Sequence, residues 1–86
     1  MPRALTMQRT IVPAGERKRY LARLRERKAY YERVNCSFWI FEEAELPGAF
    51  IEFTEARDRA ALTAAHAGAP ESLVDPARIY VEVEIK

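Results

Sequence analysis

Arg9, Trp39 and His66 are the side chains of this chain best equipped for chemistry. Arg9 interrupts the apolar side of an alternating segment. A guanidinium buried there would require a carboxylate or an anionic ligand. Trp39 can stack on a flat ligand or donate its indole N–H, although a tryptophan in a hairpin also serves simply as packing. His66 can act as a general base or an axial ligand. Near the end of an alanine-rich helix it can equally interact with that helix's C-terminus. Tyr20, Tyr30 and Tyr31 add hydroxyls along one helix, and one of them, Tyr31 foremost, is expected to reach a pocket. Glu52, Glu82 and Glu84 are carboxylates that could share one sheet face. Such groups do acid–base work when their pKa values are driven apart, and otherwise meet arginines across an interface.

Other chemistries lack their residues. One His and one Cys far apart in sequence form no metal site of recognisable spacing, so no metal and no cofactor is expected. With three glycines there is no phosphate-binding loop, and no nucleophile elbow occurs. Cys36 has no partner for a disulfide and reads as a small buried residue. The first residues show no signal-peptide pattern, and no run approaches the ~20 apolar residues of a membrane span. A cytoplasmic protein without membrane contact is the expectation.

The elements that must position these groups follow from periodicity. All 86 residues read as one domain. Leu5 to Val12 alternates and predicts a half-buried strand, ended by Pro13-Ala14-Gly15. Glu16 to Val34 predicts a helix with Tyr20 or Leu21, then Leu24, Tyr31 and Val34 on its apolar stripe and a basic remainder. The four phenylalanines and Trp39 all lie between Phe38 and Phe53, flanking Leu46-Pro47-Gly48. That pattern predicts a hairpin, Asn35 to Glu42 and Ala49 to Thr54, with Gly48 at positive φ. Thr54 is the expected N-cap of a second helix that ends at Gly68 and Pro70. Glu71 to Ala77 reads as a loop with Leu73 and Val74 turned inward and a turn at Asp75-Pro76. Ile79 to Ile85 predicts the last strand.

This order, β-α-β-β-α-β, is the ferredoxin-like plan: a four-stranded antiparallel sheet of spatial order 4-1-3-2 with both helices on one face. The Ile/Val side of the last strand is expected to meet the helices. With Ile51 and Phe53 also facing them, the opposite face would carry Phe50, Glu52, Tyr80, Glu82 and Glu84. Rings exposed on that face would cost about 25 cal/mol per Å² of apolar area, so a second copy of the sheet is expected to cover them. Charge is divided as well. Residues 1–34 carry ten Lys/Arg against three Glu, and residues 35–86 carry four against ten Asp/Glu. A basic helix against acidic neighbours, in the same or a partner chain, accounts for this without nucleic acid.

Across nearly its whole length the chain resembles the dimeric α+β barrel superfamily, in particular small proteins grouped with antibiotic-biosynthesis monooxygenases. The resemblance rests on Val12-Pro13-Ala14-Gly15, the Arg-rich first helix, Phe38-Trp39-Ile40-Phe41-Glu42, Pro47 to Thr54, and Arg57-Asp58-Arg59-Ala60-Ala61-Leu62. It implies a homodimer with sheets face to face and helices outside. It also implies a site between sheet and helices for a hydrophobic or aromatic small molecule. Some members are cofactor-independent oxygenases, and others degrade haem with an Asn, a Trp and a His. Here Asn35 joins Trp39 and His66, but Asn35 and Trp39 share the second strand, whereas the family places its Asn on the first and its Trp on the third. The implied pocket is Arg9, Tyr31, Asn35, Trp39 and His66.

Three functions follow as expectations. One is a homodimeric binding protein or monooxygenase. The second is a non-catalytic structural or regulatory dimer. The third is an RNA-recognition module, for which Ala49-Phe50-Ile51-Glu52-Phe53 has the right texture. The residues before it and the carboxylates around it are wrong for RNA.

Overall fold

A computed structural model describes residues 2–71 and 78–85. The inward turn expected of Leu73 and Val74 and the Asp75-Pro76 turn lie outside the described residues. The chain runs β1 (Ala4–Ile11), a 3-10 turn (Ala14–Glu16), α1 (Arg17–Arg33), β2 (Ser37–Glu42), β3 (Ala49–Ala56), α2 (Arg59–Ala67) and β4 (Tyr80–Val81). One antiparallel sheet has the order β2-β3-β1-β4. Strand order and helix placement agree with a ferredoxin-like plan. No helix among the described residues is long and apolar enough to cross a membrane.

Local chemistry explains where the elements end. Gly48 takes φ 94° at the hairpin turn, where an added Cβ would stand 2.6 Å from the Val12 carbonyl oxygen. The same backbone accepts little else, because only glycine enters the left-handed region without steric cost. At the end of α1, Asn35 takes φ 63°, and the Cys36 N–H returns to the Tyr31 carbonyl at 2.8 Å. Asn is among the few other residues that tolerate this conformation. α2 ends at Gly68, whose N–H bonds the Ala64 carbonyl.

Three expectations are corrected. Thr54 does not cap α2. It is buried within β3, and Asp58 caps the helix by accepting from the Ala61 N–H at 2.8 Å. The strand outlasts the expected boundary because β1 pairs with it as far as Ala4↔Ala56. The last strand is also shorter than the Ile79 to Ile85 alternation predicts. Ile79 packs on the core and Val81 stands opposite Ala4, and among the described residues the last backbone bond to the first strand's side is that of the Glu82 N–H to the Arg3 carbonyl at 2.8 Å. Val83 and Ile85 are 78% and 92% exposed.

The third correction concerns the faces of β3. Phe50, Glu52, Thr54 and Ala56 lie buried on the helix side, and Ile51, Phe53 and Glu55 stand half-buried on the other. Phe50 and Glu52 therefore leave the expected dimer face. Tyr80, opposite Leu5, stays on it; Glu82 and Glu84 are exposed just beyond β4. The physical reason lies on α1. Its buried stripe is Tyr20, Leu24, Arg27 and Tyr31, so the helix brings a guanidinium to the sheet. A buried cation requires a buried anion, and Glu52 supplies it. Docking α1 on the Ile51/Phe53 side would strand Arg27.

Candidate functional site

Between sheet and helices polar side chains are buried among the apolar core. From β1 come Thr6 and Thr10, from β3 Glu52 and Thr54, from α1 Tyr20, Arg27 and Tyr31, and from α2 His66. Two hydrogen-bonded groups result.

The first centres on Glu52, which is 3% exposed. Arg27 Nη1 donates to its Oε1 at 2.5 Å, and the Tyr20 hydroxyl donates to its Oε2 at 2.7 Å. The Thr10 hydroxyl approaches the same oxygen at 3.5 Å. Arg27 lies over the Phe38 ring, 5.5 Å from its centroid. Among the described residues its Nε finds no hydrogen-bond partner, and Glu71 Oε2 is 3.9 Å away from it. Burial, reinforced by the Glu52 carboxylate, raises the Tyr20 pKa well above the ordinary phenol value. Tyr20 therefore remains a hydrogen-bond donor throughout the neutral range.

The second group centres on His66. Its Nε2 is 2.7 Å from the Thr6 hydroxyl, and its Nδ1 is 2.8 Å from the Tyr31 hydroxyl. Burial, with the nearby Arg27 charge second, holds its pKa below 6.5. A neutral imidazole donates from one nitrogen and accepts at the other. One hydroxyl must therefore donate to the ring and the other accept from it. Burial likewise raises the Tyr31 pKa. Tyr31 stacks on Phe38 with centroids 5.5 Å apart, which holds its hydroxyl in place. The Tyr30 hydroxyl, at 2.6 Å from the Ala65 carbonyl, ties α1 to α2. A neutral histidine between two hydroxyls can accept a proton and pass another on.

The five residues expected to line one pocket fall into three places. Tyr31 and His66 meet beneath the helices. Arg9 and Trp39 stand on the opposite face of the sheet. There Arg9 is exposed and 3.4 Å from Glu43, while Trp39 stacks on Phe53 with centroids 5.8 Å apart. Asn35 occupies the left-handed turn after α1. Cys36 is buried, and burial raises its pKa, so it is a poor nucleophile. Among the described residues no three of His, Cys, Asp and Glu gather as a metal site.

Arg27, Thr6 and Thr10 were missed by sequence reading. Arg27 carried a signal, since it lies seven residues after Tyr20 and four before Tyr31, on the buried stripe. The threonines carried none, because a strand of alternating residues does not mark its inner side.

No protein-family model matches the chain, and neither does any curated protein or solved structure.

Proposed function

We propose that this chain works as a homodimer whose sheets pack face to face, and that it binds a small hydrophobic or aromatic molecule between sheet and helices. The finer reading places it with the dimeric α+β barrels related to antibiotic-biosynthesis monooxygenases. The observation that carries the proposal is the division of the sheet. Its helix-free face presents Leu5, Met7, Ile11, Phe41, Ile51 and Phe53 beside Trp39, whereas its helix-covered face carries the hydroxyls, His66 and Glu52. A largely apolar face of this kind, interrupted by Arg9 and edged by Glu55, marks an interaction surface. A flat ligand that carries an oxygen would engage the polar groups beneath the helices by exchanging with the partners they hold within the chain. If a proton is removed from that ligand, neutral His66 is the group suited to accept it. This is the step on which cofactor-independent oxidation of a phenolic substrate would depend.

A second reading, a dimer without chemistry, also has an observation in its favour. Both ring nitrogens of His66 and both oxygens of Glu52 already have partners within the chain. Sedimentation equilibrium at micromolar concentration, with thermal shifts against 2-naphthol and 1,4-naphthoquinone, separates the readings. A dimer stabilised saturably by either probe, with the effect lost in His66→Ala, supports the binding reading. A dimer indifferent to both favours the second. A stable lone protomer would sink both.

A further inference from the structure

A cavity of about 310 Å³ lies on the helix-free face, where β1 begins and β3 ends. Leu5, Trp39 and Tyr80 give it apolar walls, and Arg3, Glu55 and Glu82 supply its charge. Strand register brings these groups together. Leu5 stands opposite Glu55 on one side and opposite Tyr80 on the other, so the three form one row across β3, β1 and β4. Trp39 enters from β2, in the next row, opposite Phe53. Glu82 lies two residues after Tyr80, and its N–H donates to the Arg3 carbonyl at 2.8 Å, which holds its side chain beside that of Arg3.

The charges in this lining do not balance. The Arg3 guanidinium donates to Glu82 from Nε at 3.2 Å and from Nη2 at 2.8 Å, and its Nη1 is 3.0 Å from Glu55 Oε2. Two carboxylates against one guanidinium leave a single negative charge. The Glu55 side chain is only 23% exposed, so water compensates that charge poorly. A metal ion lacks its ligands here, since among the described residues no three of His, Cys, Asp and Glu gather. Aromatic rings beside carboxylates suit a different cation, one that carries an apolar body. Such a cation is drawn to the ring faces as well as to the carboxylates. The chain itself displays this preference, because the group that Glu55 and Glu82 already share is an organic cation, the guanidinium of Arg3.

We infer that this cavity binds a small organic monocation, a primary ammonium on an apolar or aromatic body. Glu55 and Glu82 take the ammonium, and Leu5, Trp39 and Tyr80 take the body. The whole lining belongs to one protomer, and none of it belongs to the His66 group. The inference therefore goes beyond the function proposed above, and its failure would leave that reading where it stands.

Trp39 is the only tryptophan of the chain, so its fluorescence reports on the cavity directly. Phenethylamine, phenethyl alcohol and phenylacetate present nearly one body with a positive, a neutral and a negative head. At neutral pH, phenethylamine is expected to change the Trp39 emission saturably in the millimolar range. The alcohol should bind at least tenfold more weakly, and phenylacetate should give no response. Glu55→Gln should weaken amine binding at least tenfold while the far-ultraviolet circular dichroism stays unchanged, and Glu82→Gln should weaken it less, because Glu82 is the more exposed of the two. Sedimentation with and without the amine runs alongside. No saturable response to the amine, equal binding of amine and alcohol, or full affinity in Glu55→Gln would overturn the site. So would an emission change that merely follows a change in sedimenting mass and survives Glu55→Gln.

Discussion

The two faces of this sheet differ in what accompanies their apolar side chains: beneath the helices Ala4, Phe38, Phe50 and Ala56 are buried together with polar groups. Beneath α1 and α2 lie Thr6, Thr10, Glu52 and Thr54, joined by Arg27 and His66. On the face away from the helices lie Leu5, Met7, Ile11, Phe41, Ile51 and Phe53. Burial of apolar area normally decides which side a helix covers. Here a buried ion pair acts beside it, because Arg27 on the inner stripe of α1 meets its carboxylate only on the side that carries Glu52. Such a pair contributes little net stability, since desolvation offsets the attraction between its members. What it does is dictate geometry. The apolar face, by contrast, dictates no partner within the chain and suits association with a flat, twisted surface like itself.

The comparison can be broken most forcefully at Glu52. Glu52→Ala should leave Arg27 charged and unpaired in the core and destabilise the fold by about 3–5 kcal/mol, read from urea midpoints. Arg27→Met combined with Glu52→Leu sharpens the point. If the pair serves only the fold, the double variant should recover most of that loss, because well-packed apolar replacements of buried pairs are often neutral. Retained probe binding by the double variant would remove Glu52 and Arg27 from the candidate site.

The opposite face has its own test. Phe53→Asp puts a charge beside Trp39 in the centre of the apolar surface. It should convert the dimer to monomer in sedimentation at micromolar concentration while the far-ultraviolet circular dichroism stays folded. An unchanged mass would mean that this face is not the interface.

Asp58→Ala is expected to cost less, about 1 kcal/mol, by removing the acceptor for the Ala61 N–H at the start of α2. The helix carries His66, so the variant should also weaken probe binding. An effect on stability alone would show that His66 is held by the sheet contacts rather than by the helix.

The smallest effect concerns protonation. Burial and Arg27 hold His66 below 6.5 in the folded chain, so the folded form favours neutral imidazole. The unfolded chain then binds more protons as pH falls below about 6.5, and stability drops with falling pH in that window. Between pH 7.5 and 5.5 the urea midpoint should fall slightly, and His66→Gln should flatten the slope. An unchanged slope in the variant would assign the titration elsewhere.

Much of the frame was legible beforehand. The strand order, the positive φ at Gly48 and the cap at Gly68 are local consequences of residue type and spacing. The meeting of Tyr31 with His66 was not, because it depends on how α1 and α2 lean together over β1. The shortness of β4 was hidden for a related reason. Its alternation is ideal, but alternation does not say how much of a neighbour there is to pair with, and here β1 offers Leu5 and Ala4, with the Arg3 carbonyl beyond them.

By itself the sequence determined that residues 50, 52 and 54 of β3 share one side and 51, 53 and 55 the other, since successive side chains of a strand alternate. Only the tertiary structure decided which of those sides lies beneath the helices. Alternation is indifferent to inside and outside. That choice joins long-range partners, the apolar core around Phe50 and the pair of Arg27 with Glu52, which lie 25 residues apart and meet only when α1 folds back over the sheet.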